Sequence, residues 1–256
     1  IKCPHCDISL SLHKNNRLVC HYCGYEQPGV KECPECGSPY ISGFRAGTEQ
    51  IEEHLKIRYP GARVLRLDAD TTSRKGSYDK ILSSFANREA DILVGTQMIV
   101  KGHDFPGVTL VGILLADMSL YAGDYRAAER TFQLLTQAAG RAGRGDMPGN
   151  VVIQTYQPEN YAVQYASAQD YEGFYKEEMN YRSLLLYPPA AHMLCVQLQS
   201  DDEDKAEGFA GRLRELFVRD DPEALVIGPA KGSLTKIRDQ YRYVIYIKDV
   251  NYDKLI

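Results

Sequence analysis

The middle of the chain alternates between short apolar runs and longer segments in which apolar residues recur with helical spacing. Four apolar runs have the length and composition of buried strands and lie at residues 64–67, 92–94, 109–116 and 151–156. Segments with helical periodicity alternate with these runs: one precedes the first run, at residues 49–58, and two lie between later runs, at 78–87 and 131–144. Such alternation is typical of a parallel sheet with crossover helices. We therefore predict an α/β lobe over residues 43–158, whose first helix is capped by Thr48 and ends at Tyr59.

After residue 158 the chain changes character. Residues 159–189 are predicted to be a helical connector, with a long helical stretch over residues 159–186 that ends at Tyr187, Pro188 and Pro189. The tyrosines of this helix either stack on bases or pack the lobe against the next domain, and we favour packing. They are Tyr161, Tyr165, Tyr171, Tyr175 and Tyr181.

Residues 190–256 are predicted to form a small α+β domain. A strand, a helix and two further strands are expected there, at residues 192–199, 201–219, 225–227 and 242–248. Cys195 falls in the first strand and is expected to lie in the core. Four cations form a modestly basic segment that we interpret as a solvated face: Lys231, Lys236, Arg238 and Arg242.

Composition sets limits on this picture. The chain has 256 residues, of which 44% are apolar, and a net charge of -4. This is enough for two or three domains with real cores. No run approaches the roughly 18 apolar residues of a membrane span, so no membrane association is expected. The charge gives no signature of nucleic-acid binding, which can still rest on main-chain amides and a few local cations. The missing initiator Met and leader indicate a piece of a longer protein.

Six of the seven cysteines fall in three Cys-x-x-Cys pairs within a predicted zinc-binding module at residues 1–42. The first two pairs are separated by thirteen residues, the length of a short hairpin, and supply four sulfurs for a tetrahedral structural zinc site. Those ligands are Cys3, Cys6, Cys20 and Cys23. Glycines at Gly24 and Gly37 suit the turn after the second cysteine of a knuckle. Disulfides are the competing interpretation, and a reducing cytoplasm favours metal.

The third pair, Cys33 and Cys36, needs two more ligands. His5, His13 and His21 are in plausible reach, but none has the spacing of a knuckle. We expect instead that a fourth Cys-x-x-Cys pair lies upstream of residue 1, so that the intact protein holds two zinc ions.

Two blocks carry phosphate-binding chemistry. In the first, the apolar run at residues 92–94 breaks into the sequence GTQ at residues 95–97, which presents amides and a hydroxyl at a strand's carboxyl end. In the second, Arg141 and Arg144 are three residues apart and are expected to share one face of a helix, where both reach one polyanion. Gly140 and Gly143 are costly inside a helix, which indicates close approach of a nucleotide or of a neighbouring backbone. The alternative is a solvated helix end with arginines facing the helix dipole.

The spacing of Gln137, Gly140, Arg141 and Arg144 resembles the last motif of superfamily-two helicases, and residues 95–106 resemble the motif before it. Further stretches add to the likeness: the zinc knuckles, FRAGTE at residues 44–49, LDADTT at 67–72 and DYRAAERTFQLLTQ at 124–137. Over nearly the whole chain these motifs resemble the C-terminal half of the PriA family of replication-restart DNA helicases (primosomal protein N-prime).

This resemblance implies a RecA-like second helicase lobe preceded by a zinc-knuckle module and followed by the α+β domain. It implies that Arg141 and Arg144 act on ATP held by a first lobe, with Gln137, Gly102 and Asp104 at the nucleotide. Thr48 and Thr96 would lie along the DNA backbone. The implied protein is a monomeric, ATP-driven 3′-to-5′ helicase in the bacterial cytoplasm, associated with the nucleoid. Its implied partners are forked or single-stranded DNA, the single-strand-binding protein and primosome proteins.

The sequence contains neither a Gly-x-x-x-x-Gly-Lys-Ser/Thr loop nor an Asp-Glu-x-His block. The Mg-ATP cradle is therefore expected on a first lobe outside this sequence, and this piece alone is predicted to hydrolyse no ATP. A second hypothesis is a scaffold without catalysis, in which a zinc ribbon and a RecA-like lobe hold DNA or replication proteins. The complete set of Gln137, Gly140, Arg141 and Arg144 favours the motor.

Overall fold

The computed structural model describes residues 1–13, 16–39, 47–100, 105–145 and 147–255. Its strands are β1 Ser11–Leu12, β2 Arg17–Val19, β3 Glu26–Pro28, β4 Val64–Leu67, β5 Ile92–Gly95, β6 Leu110–Ile113, β7 Asn150–Ile153, β8 His192–Ser200, β9 Leu225–Ile237 and β10 Gln240–Asp249. Its α-helices are α1 Thr48–Arg58, α2 Ser77–Ala86, α3 Ala127–Ala139, α4 Tyr161–Ala168, α5 Tyr171–Leu184 and α6 Glu203–Asp220. Among these helices, none combines the length and apolar character needed to span a bilayer.

The chain divides into two compact units, one of Ile1–Ile41 with Met179–Ile256 and the other of Ser42–Glu178. The second unit has the predicted α/β character. Its strands form two parallel pairs, β4 with β5 and β6 with β7. Leu67 is the register partner of Gly95, and Ile113 is the partner of Ile153. The predicted class, a parallel sheet with crossover helices, is confirmed.

The apolar stripe of α3 builds the main core of this unit. Phe132 and Leu135 are buried against α4 and α5, and the ring of Phe132 stacks on that of Phe174 with centroids 4.1 Å apart. Burying side chains of this size is worth about 1.5–3 kcal/mol each. A smaller core around Leu67, Leu82 and Phe105 holds α2 against β4 and β5.

The predicted helical connector consists of two helices, α4 and α5. Gln169 ends α4 in a left-handed conformation, with a φ of 53°. The carboxylate of Asp170 then accepts a hydrogen bond from the main-chain N–H of Gly173, in the first turn of α5. Tyr161 and Tyr165 pack on the core, whereas Tyr171, Tyr175 and Tyr181 are exposed. Packing therefore accounts for two of the five tyrosines.

Asp117, a buried carboxylate that the sequence patterns did not single out, fastens the carboxyl ends of β6 and β7. It accepts hydrogen bonds from the Thr155 hydroxyl at 2.5 Å and from the N–H groups of Tyr156 and Gln157 at 2.8 and 3.1 Å. Burial alone would raise the pKa of Asp117, but these donors outweigh it and lower the pKa. Asp117 is therefore charged at neutral pH and satisfies three donors at once.

Replacing Asp117 with asparagine is expected to lower the free energy of unfolding by about 2–3 kcal/mol, because one buried donor would then face an amide nitrogen. The stabilisation by Asp117 should be present above the ordinary carboxyl pKa and lost as the pH falls through the lowered value. Urea denaturation at neutral pH measures the change. Asp79→Asn, an exposed position in α2, is the control, and equal stability of the two variants would contradict the clamp.

The first unit contains the predicted α+β domain. Its sheet has the antiparallel order β8-β10-β9, and α6 buries Ala206 and Ala210 against Tyr243, Ile245 and other residues of β10. β9 is much longer than the predicted strand at residues 225–227, because residues 230–231 and 236–237 also pair with β10, with an irregular register between them. The core prediction for Cys195 is wrong, since its side chain is exposed on β8.

Candidate functional site

Four cysteines of the first unit converge on one point. The sulfurs of Cys3, Cys6, Cys20 and Cys23 all lie within 4.8 Å of one another, and those of Cys3 and Cys23 are 3.5 Å apart. A tetrahedral zinc ion with Zn–S bonds of about 2.3 Å requires sulfurs roughly 3.8 Å apart. A disulfide would require about 2.05 Å. The donor set therefore fits one structural zinc ion, as predicted, and not a pair of disulfides.

The geometry of the knuckles explains why a glycine follows the second cysteine in two of them. The N–H groups of Gly24 and Gly37 donate to the carbonyls of Cys20 and Cys33 at 2.9 and 2.8 Å, and both glycines adopt left-handed conformations, with φ of 80° and 69°. Residues with a Cβ rarely adopt this conformation. The expectation for these two turns is confirmed. In the first knuckle, Asp7 stands at the equivalent position, and its N–H donates instead to the carbonyl of Lys236.

Burial opposes the charged thiolate form of these cysteines, and a bound cation would stabilise that form. Burial raises the pKa of Cys6 to about 12. For Cys20, burial also acts to raise the pKa, but main-chain N–H groups of Cys23 and Tyr22 outweigh it and lower the pKa to about 7. A bound divalent ion stabilises all four thiolates and deprotonates the site.

The third cysteine pair lies outside this cluster. Cys36 is exposed, and the four-cysteine group is the only set of three or more metal-ligand residues found in the described ranges. His5 pairs with Asp239, its Nδ1 atom 2.7 Å from the carboxylate, and the Nε2 atoms of His13 and His21 are 3.3 Å apart. The second zinc ion of a longer protein stays a prediction.

A polar edge forms where β4 and β5 end. Asp68 and Thr96 each follow a strand residue of the register pair Leu67 and Gly95, so both lie at this carboxyl edge. A Cβ on Gly95 would lie 2.5 Å from the carbonyl oxygen of Leu67, which explains why only glycine fits there. Thr96 is exposed to solvent.

Thr48 joins the same edge through its side chain. The predicted capping role of Thr48 is wrong: Gly47 is the N-cap of α1, and the Thr48 hydroxyl donates to Asp68 at 2.5 Å. Burial alone would raise the pKa of Asp68, but the donors Thr48 and Thr71 and the charge of Arg66 outweigh it and lower the pKa. Asp68 is therefore an anionic anchor that holds the Thr48 side chain at this edge. An aspartate three residues before a threonine at a strand end is the sequence signal for this local turn.

The arginine block differs from the prediction. Arg141 and Arg144 do not share a helical face, because α3 ends at Ala139 and Gly140 is its C-cap. The chain then turns at Gly143, whose φ is 73° and whose N–H donates to the carbonyl of Val108 at 3.0 Å. Both arginines therefore lie in the turn between α3 and β7, which we call the arginine turn (residues 140–149).

The glycines of the arginine turn permit close backbone contacts. A Cβ on Gly143 would lie 2.7 Å from the nitrogen of Gly149, and one on Gly145 would lie 2.2 Å from the carbonyl oxygen of Pro106. The neighbouring backbone that was expected is thus present at Gly143, whereas a Cβ on Gly140 would meet only carbonyls of α3 itself. These contacts hold the turn against residues 105–109, at the amino ends of β6 and β7.

Of the remaining residues predicted to contact the nucleotide, the structure describes Gln137. Gln137 is exposed near the end of α3, and Arg144 is exposed while its Nε donates to the carbonyl of Gly140 at 2.7 Å. That hydrogen bond satisfies a carbonyl at the helix end. Gly102 and Asp104 lie outside the described residues, directly before the segment that the arginine turn contacts.

Comparisons with known proteins match three family models to successive parts of the chain. These are the Cys-rich region domain of the PriA DNA helicase at residues 3–28, the helicase conserved C-terminal domain at 40–146 and the primosomal protein N C-terminal domain at 183–255.

Proteins named replication restart protein PriA align with nearly the whole chain. The one from Bacillus subtilis is 48% identical over 96% of this chain and 31% of its own length. Those from Synechocystis and Thermotoga maritima are 41% and 35% identical over 100% of this chain, and over 32% and 34% of their own lengths. The chain thus spans about a third of the length of these relatives. By its zinc ribbon, its helicase lobe and its C-terminal domain, the chain belongs to the PriA family of replication restart proteins.

Proposed function

We propose that the chain is the second motor lobe, with zinc module and C-terminal domain, of an ATP-dependent 3′-to-5′ DNA helicase that acts in replication restart and primosome assembly at stalled forks. The observation that carries this proposal is the arginine turn. It brings Arg141 and Arg144 to the amino ends of β6 and β7, in a turn that contacts residues 105–109. A nucleotide on another lobe could then be reached by either arginine.

In this proposal Arg144 or Arg141 stabilises the charge that builds on the γ-phosphate as its bond to ADP breaks. Gln137, Gly102 and Asp104 contact the nucleotide. The chain itself supplies no Mg-ATP cradle, because the loop and the acidic block that hold Mg-ATP are missing from its sequence. Closure of the two lobes would bring the arginine to the phosphate, and this couples hydrolysis to movement.

We further propose that DNA follows the polar edge of β4 and β5. Thr48 and Thr96 are at this edge, but the hydroxyl proton of Thr48 is already donated to Asp68. A phosphate at Thr48 would therefore be held mainly by main-chain N–H groups in the first turn of α1, where the helix dipole also favours an anion. Thr96, with an exposed side chain, would contribute its hydroxyl directly.

The division of labour that we propose follows four segments: a zinc module at residues 1–42, the motor lobe at 43–158, a connector at 159–189 and the α+β domain at 190–256. Forked or single-stranded DNA is the proposed substrate. The single-strand-binding protein and primosome proteins are the proposed partners, in a monomeric, nucleoid-associated enzyme. Zinc has a structural role in this scheme, and Mg-ATP binds through the first lobe.

The test compares this chain with the full-length protein of which it is a part. We expect no Mg-dependent ATP hydrolysis from the chain alone, with or without forked DNA, and DNA-stimulated hydrolysis from the full-length protein. Release of phosphate by the purified chain would contradict the placement of the Mg-ATP cradle on another lobe. A full-length protein that binds forked DNA but hydrolyses no ATP would contradict the motor and favour the scaffold.

A further inference from the structure

The turn between β9 and β10 has an unusual sequence for a tight hairpin. Its two central residues, Arg238 and Asp239, both adopt left-handed conformations, with φ of 51° and 61°. Two-residue hairpin loops of this kind strongly favour Asn-Gly, because a Cβ disfavours positive φ. The contacts of the Arg238 and Asp239 side chains explain why these residues occupy the turn.

Arg238 contacts both knuckles of the four-cysteine site. Its main-chain N–H donates to the sulfur of Cys6 at 3.3 Å, and its Nε donates to the carbonyl of Tyr22 at 3.1 Å. Cys6 belongs to the first knuckle, and Tyr22 lies between the two cysteines of the second. One residue of the C-terminal hairpin therefore bridges the two halves of the metal site.

Asp239 and Lys236 also contact the first knuckle. The N–H of Asp239 donates to the carbonyl of His5 at 2.9 Å, and its carboxylate lies 2.7 Å from the Nδ1 atom of His5 and 3.0 Å from the Nζ atom of Lys236. Lys236 donates in turn to the carbonyl of Pro4 at 3.2 Å, and its own carbonyl accepts the N–H of Asp7. Two main-chain hydrogen bonds, from Asp239 to His5 and from Asp7 to Lys236, thus join the turn and the end of β9 to the first knuckle.

The charges of the turn complement the site. Four thiolates around one divalent ion carry a net negative charge, and an N–H donated to a thiolate stabilises it. Arg238 and Lys236 bring two cations to this position, and Asp239 partly balances them while orienting His5. Ile237, between the two cations, packs its apolar side chain on the cysteine cluster.

We propose that the β9–β10 turn is the outer shell of the metal site, so that zinc binding by the N-terminal knuckles and docking of the C-terminal hairpin are one coupled equilibrium. Arg238 and Asp239 are positioning residues: their side chains hold the knuckles that carry the cysteine ligands. Outer-shell partners of this kind change metal affinity by about 10- to 100-fold. Because coupling is reciprocal, loss of zinc should loosen the hairpin by the same factor. This inference rests on the zinc site and not on the proposed helicase function.

The test combines Arg238→Asn with Asp239→Gly in the full chain (the Asn-Gly variant). This exchange keeps the favoured turn and its main-chain N–H groups but removes the side-chain contacts to Tyr22, His5 and Lys236. We expect zinc to transfer to a chelating dye about 10-fold faster than from the original chain. The matched control is Arg219→Ala with Asp220→Ala, which removes an exposed Arg-Asp pair at the end of α6 and should leave the rate unchanged. Transfer at the original rate from the Asn-Gly variant would overturn the proposal.

Hydrogen exchange on the unaltered chain provides a second readout that needs no variant. Chelation of zinc should raise exchange at the amides of Arg238 and Asp239, more than 200 residues from the knuckles. The amide of Ile245, in the centre of the same sheet, should keep its protection. Turn amides that exchange equally in the presence and absence of zinc would also overturn the proposal.

Discussion

Replacing Arg144 with alanine in the full-length protein is expected to lower DNA-stimulated ATP hydrolysis by about 10³- to 10⁵-fold, the range for arginine fingers in comparable nucleotidases. The physical reason is that a guanidinium pairs with charge that exists only in the transition state. Binding of ATP should therefore change little. The measurements are the rate of phosphate release at saturating DNA and the affinity for a fluorescent ATP analogue.

The structure gives Arg144 a second role that the experiment must separate from catalysis. Its Nε donates to the carbonyl of Gly140, and loss of this hydrogen bond is expected to cost only about 1 kcal/mol of stability. A thermal unfolding curve for each variant distinguishes the two effects. Arg144→Ala with near-normal stability and severely reduced hydrolysis would identify a finger, whereas normal turnover would leave Arg144 as a helix cap.

Two further variants complete this test. Arg141→Ala addresses the alternative finger, since the sequence motif does not distinguish the two arginines. Arg63→Ala is the matched control, because Arg63 forms a two-pronged ion pair with Asp91 at the amino ends of β4 and β5. Both side chains of this pair are about half exposed, at 57% and 45%, and its loss should leave hydrolysis unchanged. Loss of activity in Arg63→Ala would show that the assay reports general damage.

Local sequence patterns predicted the strands and helices well where the residues of one element determined its structure. The apolar runs at residues 64–67 and 92–94 became β4 and β5, and the order strand, helix, strand, strand after residue 190 was confirmed. Errors arose where the local sequence pattern allowed more than one structure. Thr48 is a good capping residue in isolation, but Asp68, twenty residues away, takes its hydroxyl proton. Helical spacing placed Arg141 and Arg144 together, but α3 ends at Ala139, before either arginine.

In the metal site, the ligands could likewise be predicted from local sequence, whereas the surrounding residues that contact them are distant in sequence. Cys-x-x-Cys spacing identified all four ligands, because a knuckle is determined by the few residues within it. The outer shell could not be found in this way, since Cys6 and Arg238 are separated by 232 positions and no periodicity relates them. An Arg-Asp pair where a hairpin turn prefers Asn-Gly was the one available signal.

Replacing Cys20 with serine is expected to remove the zinc ion from the four-cysteine site and unfold the N-terminal ribbon. Cys20 is almost fully buried, and a hydroxyl replaces the thiolate poorly as a zinc ligand. Structural zinc contributes about 10–16 kcal/mol of binding free energy in small zinc domains. The ribbon has a few buried apolar residues besides its cysteines, notably Leu10 and Leu18, so it has little to stabilise it without the ion. Elemental analysis at buffered nanomolar free zinc measures the loss.

The control for this experiment is Cys195→Ser, because Cys195 is exposed on β8 and distant in sequence from the knuckles. It should retain the zinc content of the original chain. The helicase lobe has its own core around Phe132 and Leu135, so its amides should keep their exchange protection in Cys20→Ser while those of β2 and β3 lose theirs. A Cys20→Ser chain that keeps both its zinc and a protected ribbon would show that the remaining three thiolates are sufficient, and would contradict a site that requires four sulfurs.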